Sequence, residues 1–140
     1  MPISFFIEEI DFKLKQPGKV RKWLGESATK EGFTIRALSF VFCSDDFLLD
    51  INKRYLNHST LTDIITFDLS TQEKNIEGEI YISVPRVAEN ADKFKELFEE
   101  ELRRVMIHGL LHLCGYGDKS KAQKMLMRQK ESAYLSLYSN

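Results

Sequence analysis

The segment HGLLHLCGYGD, residues 108–118, holds two of the chain's three histidines, four positions apart. On a helix, residues i and i+4 share a face with Cβ atoms roughly 5–6 Å apart, so His108 and His112 can converge on one ion. Gly115 fits the left-handed position just past a helix C-terminus. Tyr116 and Gly117 then carry the chain back, so that Asp118 follows the second histidine on the reversed segment. An aspartate is a hard oxygen donor suited to zinc or manganese. His108, His112 and Asp118 thus make a three-donor set that leaves a fourth position open, as in catalytic and not structural zinc sites. An ion so held lowers the pKa of bound water and acts as a Lewis acid, the two properties that a hydrolytic metal site uses.

An i, i+4 histidine pair by itself also fits an ordinary surface or core pair; the turn and the trailing acid favour a metal. His58 could complete the set, but its polar surroundings, LNHST, fit an exposed loop histidine better. The second motif position is Gly109, where zinc peptidases of the His-Glu-x-x-His type carry the glutamate that serves as general base. Peptide hydrolysis is therefore disfavoured.

Cations surround this segment. Lys119, Lys121, Lys124, Arg128 and Lys130 follow it, and Arg103 and Arg104 precede it by about one turn. Arg104, four before His108, shares that histidine's face; Arg103 does not. Such a run fits phosphate binding or a solvated helix face. Arg104, Lys119 and Lys121 are the candidate substrate-binding cations, and Tyr116 is a candidate for stacking on a base or for packing in the turn. Thr62 and Asp63 precede a strand and fit turn or capping hydrogen bonds. Cys114 fits a buried small hydrophobe.

The elements that must position these groups can be read from periodicity. Ile3 to Ile10 alternates as a strand, and Pro17 opens a helix with Val20, Trp23, Leu24 and Ala28 at helical spacing, closed by Gly32. Phe33 to Cys43 is a second strand. Ser44 caps a helix to about Tyr55 with Phe47, Leu48, Ile51 and Tyr55 on its apolar side. DIITFDL (63–69) and EGEIYISV (77–84) read as an antiparallel pair. Pro85 opens a helical region with a break near Lys93 and an apolar stripe of Phe94, Leu97, Phe98 and Leu102; Leu110, Leu111 and Leu113 anchor its far end. A last helix from Ser120 carries Met125, Leu126, Ala133 and Leu137. This order predicts an α+β fold: a small mixed sheet of about four strands packed with helices, and a metal site at a helix end.

At 140 residues without repeat or linker, the chain reads as one domain spanning 1–140. A net charge of -1 gives no global pull toward nucleic acid or membrane, so any such preference must be local. The N-terminus lacks a secretory pattern and no apolar run is long enough to span a bilayer, which predicts a cytoplasmic protein without a membrane partner. The two cysteines, Cys43 and Cys114, are then expected to be reduced.

With these residues in view, the chain resembles the YbeY family of metal-dependent endoribonucleases, also described as rRNA maturation factors. That family's signature, His-Gly-x-Leu-His-Leu-x-Gly-Tyr-Asp-His, matches here at His108, Gly109, Leu111, His112, Leu113, Gly115 and Tyr116. Its last histidine, the third ligand, falls on Asp118, and its preceding aspartate falls on Gly117. The family's Thr-Asp strand corresponds to LTDIITF (61–67), its Gly-Asp-Ile strand to GEIYISV from Gly78, and its C-terminal helix to MLMRQKESAYL. An arginine expected after the upstream tyrosine is replaced by Leu56, with Arg54 close by.

The resemblance implies a small α+β metalloenzyme with one Zn2+ per chain, held by His108, His112 and Asp118. It further implies cleavage of single-stranded ribosomal RNA precursors, in small-subunit 3′-end maturation and ribosome quality control, with the ribosome or its small subunit as partner. The alternatives are a non-catalytic ribosome-assembly factor with a structural metal site, or a small metallopeptidase.

Overall fold

A computed structural model of the chain describes residues 2–57 and 62–138. The elements run β1 (Ile3–Glu8), α1 (Pro17–Lys30), β2 (Thr34–Cys43), α2 (Asp45–Leu56), β3 (Ile64–Asp68), β4 (Asn75–Ser83), α3 (Val84–Lys93), α4 (Phe98–Leu113) and α5 (Lys121–Tyr138). The strands form one mixed sheet in the order β1-β2-β4-β3. β1 and β4 lie parallel to β2, while β3 pairs antiparallel with β4 at the edge. The α+β expectation holds, including the antiparallel pair.

Alternation along the strands decides which face carries the core. On β4, Ile76, Ile80 and Ile82 point to one side and are fully buried, as are Leu38, Phe40 and Phe42 of β2. These meet Trp23 and Leu24 of α1, Met106, Leu110 and Leu111 of α4, and Met127 of α5 in the main core. On the other face of the sheet α2 packs through Leu48 and Ile51 against Cys43 and Ile65. The last four residues of β2 are all buried, as expected of a central strand covered on both faces.

Local signals set the helix ends. Ser44 Oγ accepts the Phe47 amide at 3.1 Å and Ser83 Oγ accepts the Arg86 amide at 3.2 Å, each satisfying an orphan donor of a first turn. Three glutamates, Glu99 to Glu101, occupy the first turn of α4, the favourable end of its dipole for acids. The break expected near Lys93 is present, since α3 stops there and Lys95 takes a positive φ of 57°.

Two glycines let α4 lie close on the sheet. A Cβ on Gly109 would come within 2.9 Å of Ile80 Cδ1 and 3.0 Å of Ile64 Cδ1; one on Gly78 would meet the Phe67 carbonyl at 2.6 Å and Leu113 Cδ1 at 3.2 Å. Close approach fixes how the end of α4 overhangs the edge strand β3. Burial of Leu110 and Leu111, each worth roughly 1.5–3 kcal/mol, anchors that end.

Three expectations about apolar faces fail. Tyr55 is exposed, and Asn52 takes the buried place on α2. Phe94 and Leu97 lie in the link between α3 and α4 and are exposed, leaving Leu102 as the buried member of that stripe. On α5 the buried side chains are Met127, Glu131, Tyr134 and Tyr138, while Met125, Leu126 and Leu137 face outward. The helix is turned because its inner face is occupied by groups with polar tips that find partners inside. Both cysteines are free thiols, and burial pushes each up to about 12.

Candidate metal centre

The last turns of α4 carry His108 and His112, both half-buried and lining a cleft, while Leu110, Leu111 and Leu113 are buried in the core. Their rings lie 4.7 Å apart between centroids, at 78° to one another. The helix then ends in a Schellman motif: the Tyr116 amide reaches the Leu111 carbonyl at 3.1 Å, and the Gly115 amide reaches the His112 carbonyl at 3.0 Å. Gly115 has φ +100°, the left-handed backbone that this motif requires and glycine accepts without strain.

The returning chain is fixed from the other side by a capping box. Ser120 Oγ accepts the Gln123 amide at 3.1 Å, and Gln123 Oε1 accepts the Ser120 amide at 3.1 Å and the Lys119 amide at 3.0 Å. A Cβ on Gly117 would sit 2.6 Å from the Gln123 amide nitrogen, so glycine leaves room for that cap. Between these two devices Asp118 has little freedom. Its Oδ2 lies 3.4 Å from His108 Nε2 and 3.9 Å from His112 Nε2.

Whether these atoms suit a metal is a question of spacing. Donors at about 2.0–2.1 Å from a tetrahedral ion lie roughly 3.4 Å from one another. The separations of 3.4 and 3.9 Å are close to that edge, and one donor atom from each of the three residues lies within 4.8 Å of the others. The donor set fits a divalent ion such as zinc, with contraction of a few tenths of an ångström at His112.

The second nitrogen of His108 is engaged. Its Nδ1 lies 2.6 Å from Glu131 Oε2, and the other oxygen of that carboxylate accepts a hydrogen bond from Arg104 Nη1 at 2.9 Å. Glu131 is only 5% exposed. Burial alone would push its pKa up, but the bonds from His108 and Arg104 hold it below the usual carboxylate value. Burial lowers the His108 imidazole, yet the Glu131 bond and the charges of Glu131, Asp118 and Asp63 raise it overall. His112 is lowered, by burial and then by its neighbour His108.

These groups form one wall of an open cleft of about 560 Å³. Thr62 and Asp63, which lead into β3, Ile64 and Thr66 of β3, and Lys124 and Arg128 of α5 also line it. Burial raises the Asp63 carboxyl, with His108 pulling the other way. Thr62 makes the expected local turn contact, its hydroxyl to the Ile64 carbonyl at 3.4 Å.

The candidate substrate-side residues take different positions around the cleft. Arg104 does line the cleft, but its guanidinium is committed to Glu131. Lys119 and Lys121 are exposed on the turn and at the start of α5, outside the cleft lining. Tyr116 does not line the cleft and donates to Glu31 Oε1 at 2.7 Å. Lys124 and Arg128 have cleft positions without an ion pair among the described residues, and their i, i+4 spacing on α5 is the signal that marks them. Arg54 pairs with Asp50 at 3.1 Å on exposed α2. His58 lies outside the described residues.

Residues 5–139 match the family model described as endoribonuclease YbeY. The endoribonuclease YbeY of Flavobacterium psychrophilum is 50% identical over 133 residues, covering 95% of this chain and 94% of its own length. That of Cytophaga hutchinsonii is 47% identical over 135 residues, covering 96% and 94%. Among solved structures, a protein of Thermotoga maritima determined in solution superposes with a TM-score of 0.68 at 29% identity, covering 96% of this chain and 88% of its own.

Proposed function

This chain belongs to the endoribonuclease YbeY family and is a hydrolase acting on RNA, and from that premise we propose that one zinc ion per chain, held by His108, His112 and Asp118, serves the cleavage of single-stranded ribosomal RNA precursors. Residues 1–140 act as one domain in this reading. It works in the cytoplasm with the ribosome or its small subunit as partner, in 3′-end maturation of small-subunit rRNA and in ribosome quality control. The observation that carries the proposal is the approach of Asp118 Oδ2 to both imidazole Nε2 atoms at the wall of an open cleft.

A bound divalent ion would supply Lewis acidity toward a phosphoryl oxygen and a lowered pKa for water. The chain's own residues do the rest. His108 and His112 offer Nε2, and Asp118 offers one carboxylate oxygen, so three donors leave a position for substrate. Lys124 and Arg128 on the rim receive the phosphates that flank the reacting one. The edge of β3, with Thr62 and Asp63, closes the opposite side and supplies polar contacts. Gly109 packs on Ile80 and Ile64, so a side chain there would run into the sheet and not reach the cleft. This argues against a peptidase-type glutamate at that position.

The test is cleavage of a labelled single strand by protein stripped with a chelator and then given back zinc or manganese. We expect cleavage to return with metal, to fall when the strand is paired to its complement, and to be absent in His112→Ala. Metal-replete wild type that leaves the strand intact would favour the non-catalytic assembly factor. Equal cleavage by His112→Ala would assign the activity to something other than this site.

A further inference from the structure

Arg104 faces the cleft and carries a charge suited to phosphate, yet its contacts lead elsewhere. Nη1 meets Glu131 Oε1 at 2.9 Å and Nη2 meets Ser132 Oγ at 3.4 Å, both on α5. Its side chain is 21% exposed, whereas Lys124 and Arg128 are exposed positions. We propose that Arg104 and Glu131 are positioning residues for the metal centre: Glu131 orients the His108 ring, Arg104 holds Glu131 in place, and Arg104 takes no direct part in RNA binding. The inference rests on the ligand assignment proposed above.

An imidazole presents one nitrogen to a metal only if the other is told what to do. A carboxylate accepts, so Glu131 Oε2 at 2.6 Å keeps the proton on His108 Nδ1 and leaves the Nε2 lone pair directed at Asp118 and the shared donor site. A buried carboxylate facing a neutral ring would be an uncompensated charge. Arg104 compensates it, and does so on the other oxygen. With one oxygen given to each partner, Glu131 has no oxygen directed to the donor set, which consists of His108, His112 and Asp118 among the described residues. It supports a ligand without becoming a fourth one, and the open position survives.

The relay also crosses the fold where support is needed. His108 and Arg104 are one turn apart on α4, and Glu131 reaches them from α5, 23 and 27 residues on. The ring is therefore locked against the neighbouring helix and does not depend on α4 alone.

Two readouts separate positioning from RNA binding. The first is the zinc dissociation constant, taken by competition with a chromophoric chelator and no RNA present, for wild type, Glu131→Gln, Glu131→Ala, Arg104→Leu and Arg104→Lys. Loss of such a supporting partner is expected to weaken metal binding about 10–100-fold. Glu131→Ala should show most of this, Glu131→Gln less, because its amide oxygen still accepts from Nδ1. Arg104→Leu should weaken zinc severalfold and Arg104→Lys should recover part of it. The second is the salt dependence of binding to a short single-stranded RNA. Each lost phosphate contact lowers the slope by about 0.7 for a single strand. Arg104→Leu should leave that slope unchanged while Lys124→Ala lowers it.

Circular dichroism melting in chelator confirms that each variant folds; Glu131→Gln is isosteric, and Arg104 is only half-buried. Zinc affinities of Glu131→Gln, Glu131→Ala and Arg104→Leu all equal to wild type overturn the inference, as does an Arg104→Leu slope lowered by about 0.7 with zinc affinity intact. If wild type and His112→Ala bind zinc alike, the ligand assignment itself fails and this inference falls with it, which is a different and recognisable result.

Discussion

Two carboxylates grip the same chain reversal from opposite sides, and they do different things. Glu131 meets His108 at the start of residues 108–118, while Glu31, at the end of α1, meets Tyr116 near their close. Both are held below their usual pKa by hydrogen bonds that outweigh burial. Neighbouring residues of α5 serve them in opposite directions, since Lys130 reaches Glu31 at 3.3 Å and Glu131 reaches back to His108. The difference lies in the partners. Glu31 receives two tyrosine hydroxyls, from Tyr116 and Tyr134, and a lysine, none of which belongs to the candidate donor set. Glu131 receives a ring whose far nitrogen faces Asp118, so its contact continues into the donor set. A buried carboxylate becomes part of a reactive site when its partner has a second atom to offer.

The comparison breaks most visibly at the ring itself. His112→Ala removes a donor and should lower the rate of RNA cleavage about a thousandfold, since metal assistance amounts to several kcal/mol at about 1.36 kcal/mol per tenfold. Its melting temperature in chelator should stay near wild type. A large thermal loss without metal would mean that the histidine side is as structural as the tyrosine side.

Glu31→Gln should show the reverse pattern. It leaves two partly buried hydroxyls with a weaker acceptor and should cost about 1–3 kcal/mol, read as a fall of several degrees in Tm, while kcat changes less than about twofold. Acid sharpens this. The folded carboxyl titrates below its usual 4.5, so its contribution is present above that pH and is lost as pH falls through the lower folded value. The stability gap between wild type and Glu31→Gln should therefore narrow on acidification below about pH 4.5. A gap that widens there would give the carboxylate the wrong sign. The smallest effect belongs to the rim: Lys124→Ala with Arg128→Ala should reduce the salt slope of RNA binding by about 1.4 and raise KM, with zinc affinity unchanged.

Local chemistry made much of this molecule readable from its residues. Ser44, Pro17, Gly115 and the i, i+4 histidines each act within one turn, and each behaves as its type predicts. The capping box SKAQ at 120–123 was equally local, and it is the device that steadies Asp118 from the far side. What resisted was anything set by long-range contact. The inner face of α5 holds Glu131, Tyr134 and Tyr138, whose polarity hides them from an apolar-stripe argument; outward Met125, Leu126 and Leu137 satisfy that argument falsely. The pairing of Arg104 with Glu131 was equally hidden, because nothing within a few residues betrays a partner 27 positions away. Phe94 and Leu97 sit at helical spacing but fall in the link between two helices, where spacing carries no face.

The account stands on the reversal that brings a carboxylate to two imidazoles, and cobalt(II) titration of metal-free protein tests it directly. Visible absorption should rise to a plateau at one equivalent in wild type, with an intensity typical of four or five ligands, and should weaken and shift in Asp118→Ala as that oxygen is lost. Spectrum and affinity identical in wild type and Asp118→Ala would contradict the account.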